Sequence, residues 1–492
     1  MAISSLVIHN PIPVARLSGG TNRVGIIRSH RSVAFDVHPQ SKPSNGMAAS
    51  PLNHLHLHTE APPRTDFVDS STSHLCRYEE MLSVPPKSPR EVIASKWHEI
   101  HGSTEWENLL DPLHPWLRRE IIKYGEFAQA AYDAFDFDRF SEHCGSCKYN
   151  KCKFFDSLGL IHNGYEVTEY IHAMSHLHMP RWLERSHLVN TWSKDSNWIG
   201  FVAVSNNEET ERIGRRDIVV TWRGTMAPSE WYDNLQRELE PFGHGEARVE
   251  HGFWSIYTSK SASTRYNKCS ASEQAMREIT RLVKQYQTRG EEVSLTITGH
   301  SLGGALALFN AYEAAQSIPG VHISVISFAS PRVGNAAFRD ELHHLGIKIL
   351  RVVLKQDIVP KMPGFILNEG LERFEDITGP LEWVYTHAGK ELKLDACASP
   401  YLKRGLNPMG FHSVETYMHL VDGFAKTGSG FRADAKRDIT LVNKACDLLA
   451  DELRIPPWWQ QEANKGLVCN EYGRWVRPRR DPEDIPSPAK KH

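Results

Sequence analysis

A serine between two glycines in the middle of the chain has the spacing of a catalytic nucleophile. The segment GHSLG at 299–303 is a G-x-S-x-G motif that follows the apolar run 293–298 and precedes the small-residue stretch 303–316. This order predicts a strand, a tight turn and a helix, the nucleophile elbow that presents a serine hydroxyl above a sheet. The motif alone also occurs by chance, so the flanking strand and helix are what favour Ser301 as the nucleophile.

A serine hydroxyl is a weak nucleophile at neutral pH, and it needs a histidine base whose tautomer is fixed by a carboxylate. In α/β-hydrolases the order along the chain is serine, acid, histidine. Downstream of Ser301, Asp357 lies in a turn after the apolar run ILRVVL and before Pro360, where an α/β sheet places functional loops. A solvated aspartate that caps the turn is the other interpretation. Asp340, in a helical stretch, and Asp395, with no strand before it, fit the role less well.

Three downstream histidines are candidates for the base. His412 follows the loop NPMG and precedes a helical pattern, so its side chain can lie over the carboxyl edge of the sheet. His419 lies two turns further into that helix, where a structural histidine is expected. His387 is expected in a strand and is the third candidate. The placement favours His412.

The oxyanion formed when Ser301 attacks an ester needs two backbone donors. The residue after the nucleophile, Leu302, supplies one N–H group. The second is expected from the segment TWRGT, where a strand ends and Gly224 turns the chain so that Thr225 presents its N–H group. Alone, this segment indicates only the end of a strand. The G-x-S-x-G motif further along the chain is what favours it as part of an oxyanion hole.

Strand-like and helix-like patterns alternate through the second half of the chain. Strands are predicted over Trp198–Val204, Asp217–Thr221, Leu295–Thr298, His322–Phe328 and Ile347–Leu354. One helix is predicted to begin at a Ser88 cap, a second covers Pro115–Phe135 and a third covers Ile439–Leu453. The N-terminal helical pattern extends up to Arg185. The alternation predicts an α/β class of fold with a mostly parallel central sheet and an N-terminal helical section. Together with the serine elbow at 299–303, it favours an α/β-hydrolase fold.

Composition limits the partners. The 492 residues allow one large or two ordinary domains, and a formal net charge of -2 gives no general attraction to nucleic acid or to an anionic membrane. Since no apolar run is long enough to cross a bilayer, any lipid contact is expected to be peripheral. Residues 1–35 lack Asp and Glu but contain four arginines and five serines. This composition is typical of a plastid or mitochondrial transit peptide, with a disordered tail as the alternative.

These patterns divide the chain into four segments. We predict a disordered leader over 1–75, a helical section over 76–185 packed on the catalytic domain, an α/β-hydrolase domain over 186–475 and a disordered tail over 476–492. The HLHLH run at 54–58 is interpreted as tail composition rather than as a metal site.

The cysteines do not form the pattern of a secreted disulfide framework. Among the eight, only Cys144, Cys147 and Cys152 lie close together in the sequence. Because no second pair with zinc-ligand spacing accompanies them, structural thiols or a local redox-sensitive pair are favoured over a metal site. Metal ligands are accordingly not predicted, and neither is a cofactor site.

Several of these segments together resemble a known family. TWRGT, ITGHSLGGALA, SFASPRVGN, the Asp357 turn with VPKMPG, and HSVETYMHLVDGF are similar in sequence and order to the plant class I phospholipase A1 group of the fungal-type class 3 lipases. The resemblance is strongest to plastid-targeted members related to DEFECTIVE IN ANTHER DEHISCENCE, and it extends over about Trp97 to Trp475. It implies Ser301 as nucleophile, Asp357 as acid, His412 as base, and the N–H groups of Thr225 and Leu302 as oxyanion hole.

The resemblance also implies a reaction and a location. The expected reaction is hydrolysis of the sn-1 acyl ester of glycerolipids, either phosphatidylcholine or plastid galactolipids, with triacylglycerol as a further substrate and no cofactor. In related enzymes the released fatty acid supplies oxylipin and jasmonate synthesis. The expected location is the chloroplast, at a plastoglobule or thylakoid surface, while the oligomeric state stays open. The alternative is a non-catalytic, lipase-like signalling scaffold, since fold alone does not establish activity.

A lid is expected after the first oxyanion residue, as in the fungal relatives. By position it falls over 226–246, where Trp231, Tyr232, Leu235 and Phe242 alternate with charged residues. An amphipathic stretch of this kind either opens onto a lipid surface or packs its apolar side on the core.

Overall fold

A seven-stranded sheet with helices on both faces organises residues 80–492, which form one compact unit. The computed structural model describes residues 90–138, 141, 143–174, 196–225, 239–243, 245–363, 384–460, 468–469, 471–476 and 480. The predicted leader, the His-rich run at 54–58, the Ser88 cap and nearly all of the predicted tail lie outside the described residues.

Nine strands carry most of the β structure, and seven of them form the central sheet. Their bounds are β1 Tyr165–Ala173, β2 Asn197–Ser205, β3 Arg216–Trp222, β4 Leu239–Pro241, β5 Arg248–Glu250, β6 Val293–His300, β7 His322–Phe328, β8 Lys348–Leu354 and β9 Lys390–Leu394. The order in the sheet is β1-β2-β3-β6-β7-β8-β9. From β3 to β9 all neighbours are parallel, whereas β1 and β2 are antiparallel additions at one edge. Two short pairs, β4 with β5 and β10 (Val468–Cys469) with β11 (Trp475–Val476), lie outside it.

The described helices cover both faces of this sheet. Their bounds are α1 Arg90–Ile100, α2 Pro115–Asp133, α3 Phe154–Ser157, α4 Asn207–Ile213, α5 His251–Thr258, α6 Ala271–Gln287, α7 Leu302–Ser317, α8 Ala336–His344, α9 Pro408–Phe411 and α10 Val414–Gly423. Helices α5, α6 and α7 pack together on one face, and α2 packs against α10 on the other.

Side chains alternate between the two faces of the parallel strands, as the pleat requires. On β3, Ile218 and Val220 point into the core under α6 and α7, while Val219 points into the core under α2 and α10. Strands buried on both faces read as continuous apolar runs, which is why the pattern of the sequence located them. This sheet with its strand-turn-helix elbow is the α/β-hydrolase fold, as predicted.

A buried polar cluster joins α2 to the sheet. The carboxylate of Asp217 on β3 accepts hydrogen bonds from Tyr124 on α2 at 2.8 Å and from Tyr165 on β1 at 2.8 Å. Ser294 and Thr296 on β6 donate to its other oxygen at 2.7 and 2.8 Å. Four donors satisfy this fully buried charge, so the cluster fixes the position of α2 on the sheet.

The five predicted strands are all present, one with the predicted bounds and four with bounds one or two residues longer or shorter, and α2 and α7 lie where helices were predicted. The helical patterning up to Arg185 was wrong over 165–173, because this segment forms β1. Its sequence YEVTEYIHA buries Tyr165 and Val167 but exposes Glu166, which is the two-residue period of a strand. Residues 175–185 lie outside the described part of the chain.

The predicted C-terminal helix over Ile439–Leu453 was also wrong. Only short 3₁₀ helices form there, at Ile439–Asn443 and Asp451–Leu453. The Asn443 side chain accepts hydrogen bonds from the N–H groups of Leu448 and Leu449, both at 2.9 Å. An asparagine side chain that takes these donors replaces the carbonyls of a helical turn, so the segment follows an irregular path.

Candidate active site

The segment around Ser301 forms a nucleophile elbow. Strand β6 ends at His300 and helix α7 begins at Leu302, with Ser301 between them at φ +58° and ψ −127°. Positive φ is uncommon for a residue with a side chain and marks a strained turn that the surroundings hold in place. The Ser301 N–H group donates to the Phe328 carbonyl at 2.9 Å, which ties the turn to β7.

The glycines of the motif are required by close packing. A Cβ atom at Gly299 would lie 2.3 Å from the Gly303 carbonyl oxygen, and one at Gly303 would lie 2.1 Å from the Trp222 carbonyl oxygen. Both distances are far below van der Waals contact, so strand, turn and helix approach each other only without side chains at these positions.

Asp357 and His412 are held together as an acid–base pair. The Asp357 turn follows β8, and His412 lies between α9 and α10. Asp357 Oδ2 accepts a hydrogen bond from His412 Nδ1 at 2.7 Å, and its Oδ1 accepts one from the Val359 N–H group at 2.9 Å. Both side chains are buried. A proton held on Nδ1 leaves the Nε2 lone pair as the base, which is the tautomer that serine activation requires.

The remaining ring nitrogen of His412 is available. Its Nε2 is buried and has no hydrogen-bond partner among the described residues, so no hydrogen bond joins it to Ser301 Oγ in this arrangement. Catalytic hydrogen bonds often tighten only when substrate is bound. The structure therefore brings Asp357 and His412 into direct contact and leaves the Ser301 contact unmade.

Tyr417 is a site residue that the sequence reasoning missed. It lies on α10, and its hydroxyl donates to Asp357 Oδ2 at 2.8 Å while accepting from the Leu354 N–H group at 3.1 Å. The carboxylate thus receives three hydrogen bonds, one from its own turn and two from the segment of His412 and α10. The only signal in the sequence was that Tyr417 follows His412 by more than one helical turn. This spacing does not distinguish it from the many tyrosines that are simply buried in helices.

His300 and Tyr132 form a second group that was missed. The Tyr132 hydroxyl, on α2, lies 2.7 Å from His300 Nδ1, and the His300 ring lies 4.5 Å from the His412 ring, centroid to centroid. Burial lowers the pKa of His300 well below its usual value, and the neighbouring His412 lowers it further. His300 therefore stays neutral when His412 takes up a proton, so the base does not face a second cation.

The loop after β3 lies directly against the elbow. A Cβ atom at Gly224 would be 2.1 Å from the Tyr132 hydroxyl, 2.5 Å from the His300 carbonyl oxygen and 3.1 Å from Ser301 Cβ. Thr225 therefore comes directly after a residue packed against Ser301, and Leu302, which opens helix α7, comes directly after Ser301 itself.

Arg223 fixes this loop through hydrogen bonds to backbone carbonyl groups. Its guanidinium is buried, lies 3.8 Å from the centre of the Phe135 ring, and donates to the carbonyl oxygens of Trp198 at 3.0 Å and Gly224 at 2.7 Å. Burial lowers the pKa of Arg223 to about 10, which still leaves it charged at neutral pH. A cation fixed to backbone carbonyls on both sides rigidifies the turn.

The competing candidates have structural roles. Asp340 is exposed on α8 and bonds to Arg339, and Asp395 caps a 3₁₀ turn by accepting from the Cys397 N–H group at 2.8 Å. His419 Nε2 lies 2.9 Å from Ser399 Oγ. His387 Nε2 lies 2.7 Å from the Pro360 carbonyl oxygen, and His387 precedes β9 instead of lying in a strand as expected.

Phe242 belongs to the core and not to a lid. It is buried, with its ring 4.7 to 5.1 Å from the rings of Tyr312, Trp254 and Phe338. The rest of the predicted lid, with Trp231, Tyr232 and Leu235, lies outside the described residues. Of the two interpretations of this stretch, packing on the core is the correct one for Phe242.

The clustered cysteines show no disulfide within the described residues. Cys144, Cys147 and Cys152 are free thiols, and burial raises the pKa of Cys144 and of Cys147 to about 11. Within the described ranges, no group of three or more His, Cys, Asp or Glu side chains has the geometry to hold a metal ion.

Comparison with known proteins gives consistent matches. Residues 219–366 match the family model of class 3 lipases. The chain is 44% identical over 404 residues to phospholipase A1-Igamma1, chloroplastic, from Arabidopsis thaliana, covering 78% of each chain. It is 40% identical over 398 residues to phospholipase A1-II 1 from Oryza sativa subsp. japonica, covering 78% of this chain and 95% of the relative.

A solved structure is also similar. The lipase from Rhizopus microsporus var. chinensis aligns with a TM-score of 0.38 at 21% identity, covering 59% of this chain and 78% of that chain. The sequence relatives carry the assignment, since their identity extends over most of both chains. The resemblance seen in the motifs is confirmed, and the chain belongs to the plant phospholipase A1 family of class 3 lipases.

Proposed function

We propose that this chain is a phospholipase A1 that hydrolyses the sn-1 acyl ester of glycerolipids with Ser301 as nucleophile, His412 as base and Asp357 as acid. The observation that carries the proposal is the 2.7 Å hydrogen bond between His412 Nδ1 and Asp357 Oδ2, next to a serine at positive φ. Family membership and the printed activity of the relatives support the reaction class.

The reaction follows from the geometry. His412 Nε2 takes the proton of Ser301 Oγ as the oxygen attacks the ester carbonyl, and Asp357 stabilises the imidazolium that forms. The N–H groups of Thr225 and Leu302 donate to the oxyanion. His412 then returns the proton to the departing glycerol oxygen. Water then attacks the acyl-enzyme. His412 takes a proton from the water and returns it to Ser301 Oγ, and the fatty acid is released.

The substrate is expected to reach the site from a lipid surface. None of the described helices has the length and apolarity to cross a bilayer. Three exposed apolar side chains are close in sequence to site residues: Ile358 follows Asp357, and Leu406 and Met409 precede His412. Leu406 is 99% exposed, and such a residue gains free energy by entering a lipid interface. A membrane or lipid-droplet surface is therefore the proposed partner.

Location and organisation complete the proposal. The chloroplastic relatives and the acid-poor, arginine-containing N-terminus support a plastid protein with a transit peptide. Within it we propose a leader over 1–75, a section over 76–185 whose described helices are followed by β1 of the central sheet, a catalytic domain over 186–475 and a tail over 476–492. Galactolipids, which are plastid lipids, are proposed as substrates beside phosphatidylcholine and triacylglycerol, and the released acid as a precursor for oxylipin synthesis at a plastoglobule or thylakoid surface.

A hydrolysis assay tests the reaction. The full chain and its Ser301→Ala variant are incubated with phosphatidylcholine, monogalactosyldiacylglycerol and triolein that carry different sn-1 and sn-2 chains. Release of the sn-1 acid by the wild type, reduced about 10³-fold or more in the variant, is expected, because the hydroxyl is the attacking group.

The relative hydrolysis rates on the three lipids also rank the head groups. Absence of hydrolysis by folded wild type on every lipid would favour a non-catalytic scaffold. Equal rates in wild type and Ser301→Ala would refute the nucleophile.

A further inference from the structure

A cavity of about 380 Å³ is lined in part by Lys355, two residues before Asp357. It is bounded by the end of β9, helix α10 and the loop 424–431. Ser301, Asp357 and His412 are not among its lining residues, so it is distinct from the candidate active site. We call this cavity the C-terminal groove.

The floor of the C-terminal groove is apolar. Leu394 at the end of β9 and Leu420 on α10 are buried, and Phe424 and Phe431 are half-buried beside them. The four side chains form a surface that suits a hydrocarbon chain.

The wall formed by Phe431 is fixed in place. Its ring stacks on His419 with centroids 4.8 Å apart and meets the Tyr401 ring edge-on at 5.6 Å. A Cβ atom at Gly423 would lie 1.8 Å from the Phe431 ring, so the glycine makes room for it. The C-terminal groove is therefore preformed and does not need a rearrangement of this aromatic ring.

Positive charge surrounds the apolar floor. Lys355, Lys393 and Lys426 line the C-terminal groove and are exposed. Its one lining carboxylate, Asp395, lies 3.5 Å from Lys355 Nζ. Neither Lys393 nor Lys426 forms an ion pair with any residue that the structure describes. Two uncompensated ammonium groups therefore lie beside an apolar surface, an arrangement complementary to an anionic amphiphile.

We propose that the C-terminal groove binds one long-chain fatty acid, with its carboxylate between Lys393 and Lys426 and its hydrocarbon chain on Leu394, Leu420 and the two phenylalanines. The volume lies near the lower end of the roughly 300–1,000 Å³ typical of small-molecule sites, which favours a single-chain ligand over a two-chain lipid. The choice of a fatty acid rests on the proposed function, since that reaction releases one.

The C-terminal groove shares a structural element with the site of reaction. Lys355 lies two residues before Asp357, and the intervening Gln356 donates to Asp395 Oδ1 at 2.6 Å. The Lys355 N–H group also donates to the Leu394 carbonyl at 3.0 Å. A bound fatty acid would contact the turn that carries Asp357 without entering the space above Ser301.

Photolabelling of the full chain tests the binding site. A long-chain fatty acid with a diazirine near the end of its chain is used below its micelle concentration, and adducts are located by peptide mass spectrometry. We expect adducts in 393–398 and 420–431. In a Lys393→Glu/Lys426→Glu variant the labelling of these peptides should fall about tenfold or more, since two attractive charges become repulsive. Lys284→Glu, which changes an exposed lysine on α6, is the matched control and should label like wild type.

Other outcomes overturn the proposal. It fails if adducts appear only near Ser301 and His412, if the double variant labels normally, or if the uncharged methyl ester of the probe labels the C-terminal groove equally well. A single-chain phosphate ester that displaces the probe more effectively than the fatty acid would overturn the assignment to a carboxylate. Labelling does not require turnover, so a protein that labels at the C-terminal groove but hydrolyses no lipid refutes the proposed reaction and keeps the binding site. The reverse pattern refutes the binding site alone.

Discussion

Asp357 is the residue on which most contacts of the candidate site converge. It accepts hydrogen bonds from the Val359 N–H group in its own turn and from His412 and Tyr417, more than 50 residues later in the chain. A buried carboxylate with three donors is held in one orientation, and it in turn orients the imidazole. The orientation of the His412 imidazole therefore depends on groups that hold Asp357 and do not act on the substrate.

Replacement of the base distinguishes His412 from the nearby His419. In His412→Ala we expect kcat/KM on a water-soluble ester to fall about 10³-fold or more, because no group remains to take the serine proton. His419→Ala should keep kcat/KM within about threefold, since His419 contacts Ser399 and the Phe431 ring but no group of the triad. Normal turnover by His412→Ala with loss in His419→Ala would show that the wrong base was assigned.

Tyr417→Phe tests the support of the carboxylate. The change removes a hydrogen bond to Asp357 and leaves the buried Leu354 N–H group without that acceptor. We expect a loss of about 1–3 kcal/mol in the free energy of unfolding, the usual result when a buried donor loses its partner. We also expect kcat to fall with little change in KM, because the tyrosine acts through Asp357.

Urea denaturation and steady-state kinetics measure the two effects of Tyr417→Phe. Tyr401→Phe, which changes an exposed tyrosine near α10, is the control. Unchanged kcat in Tyr417→Phe would show that the tyrosine has only a structural role.

At the scale of elements, the junction of β6 with α7 is the most tightly packed feature of the site. Gly303 lies so close to the end of β3 that a methyl group would meet the backbone of Trp222. Neither backbone can move without displacing strand or helix from the sheet. The elbow geometry therefore depends on three elements at once.

Gly303→Ala tests this dependence. We expect a loss of at least about 2 kcal/mol in the free energy of unfolding, together with most of the activity, because overpacking displaces Ser301. Gly430→Ala is the control, since a Cβ atom there meets nothing within 4 Å. Thermal denaturation compares the two, and equal melting temperatures would show that the helix accommodates the methyl group.

The elements that local patterns describe were predictable. The strands from β2 to β8 in the central sheet and the elbow were located because apolar runs and a glycine-flanked serine are local signals. Tyr132 was not, since it meets His300 across 168 residues of sequence. Tyr417 and the irregular path of 439–453 depended equally on distant contacts, in the latter case on an asparagine side chain that takes the place of helical carbonyls. Pattern reasoning finds elements, whereas tertiary contacts decide which polar side chains meet.

The stability of the whole molecule is expected to change with pH through Glu250. This carboxyl caps the N-terminus of α5, is fully buried, and has one oxygen without a hydrogen-bond partner among the described residues. Burial raises the pKa of Glu250 from 4.5 to about 7. The folded state then binds the proton more tightly than the unfolded state. Its contribution to stability is complete below about pH 4.5 and is lost as the pH rises through about 7.

Glu250→Gln should remove this dependence. The shift corresponds to about 3 kcal/mol between the two ends of the range, so the variant should lose less stability than wild type between pH 5 and pH 8. Urea denaturation at both pH values measures the difference. Glu246→Gln, at an exposed neighbour, is the control. An unchanged difference in Glu250→Gln would assign the pH dependence to other groups.

The contacts of helix α2 set a lower limit on the size of an active fragment. Tyr124 enters the carboxylate cluster at one end of the sheet, and Tyr132, two turns later, reaches the ring next to the proposed base. A fragment that began at β2 would leave the Asp217 charge short of two donors and His300 without its hydroxyl partner. Part of the environment of the proposed base is therefore encoded more than 160 residues before the serine, so any active fragment of this chain has to include α2.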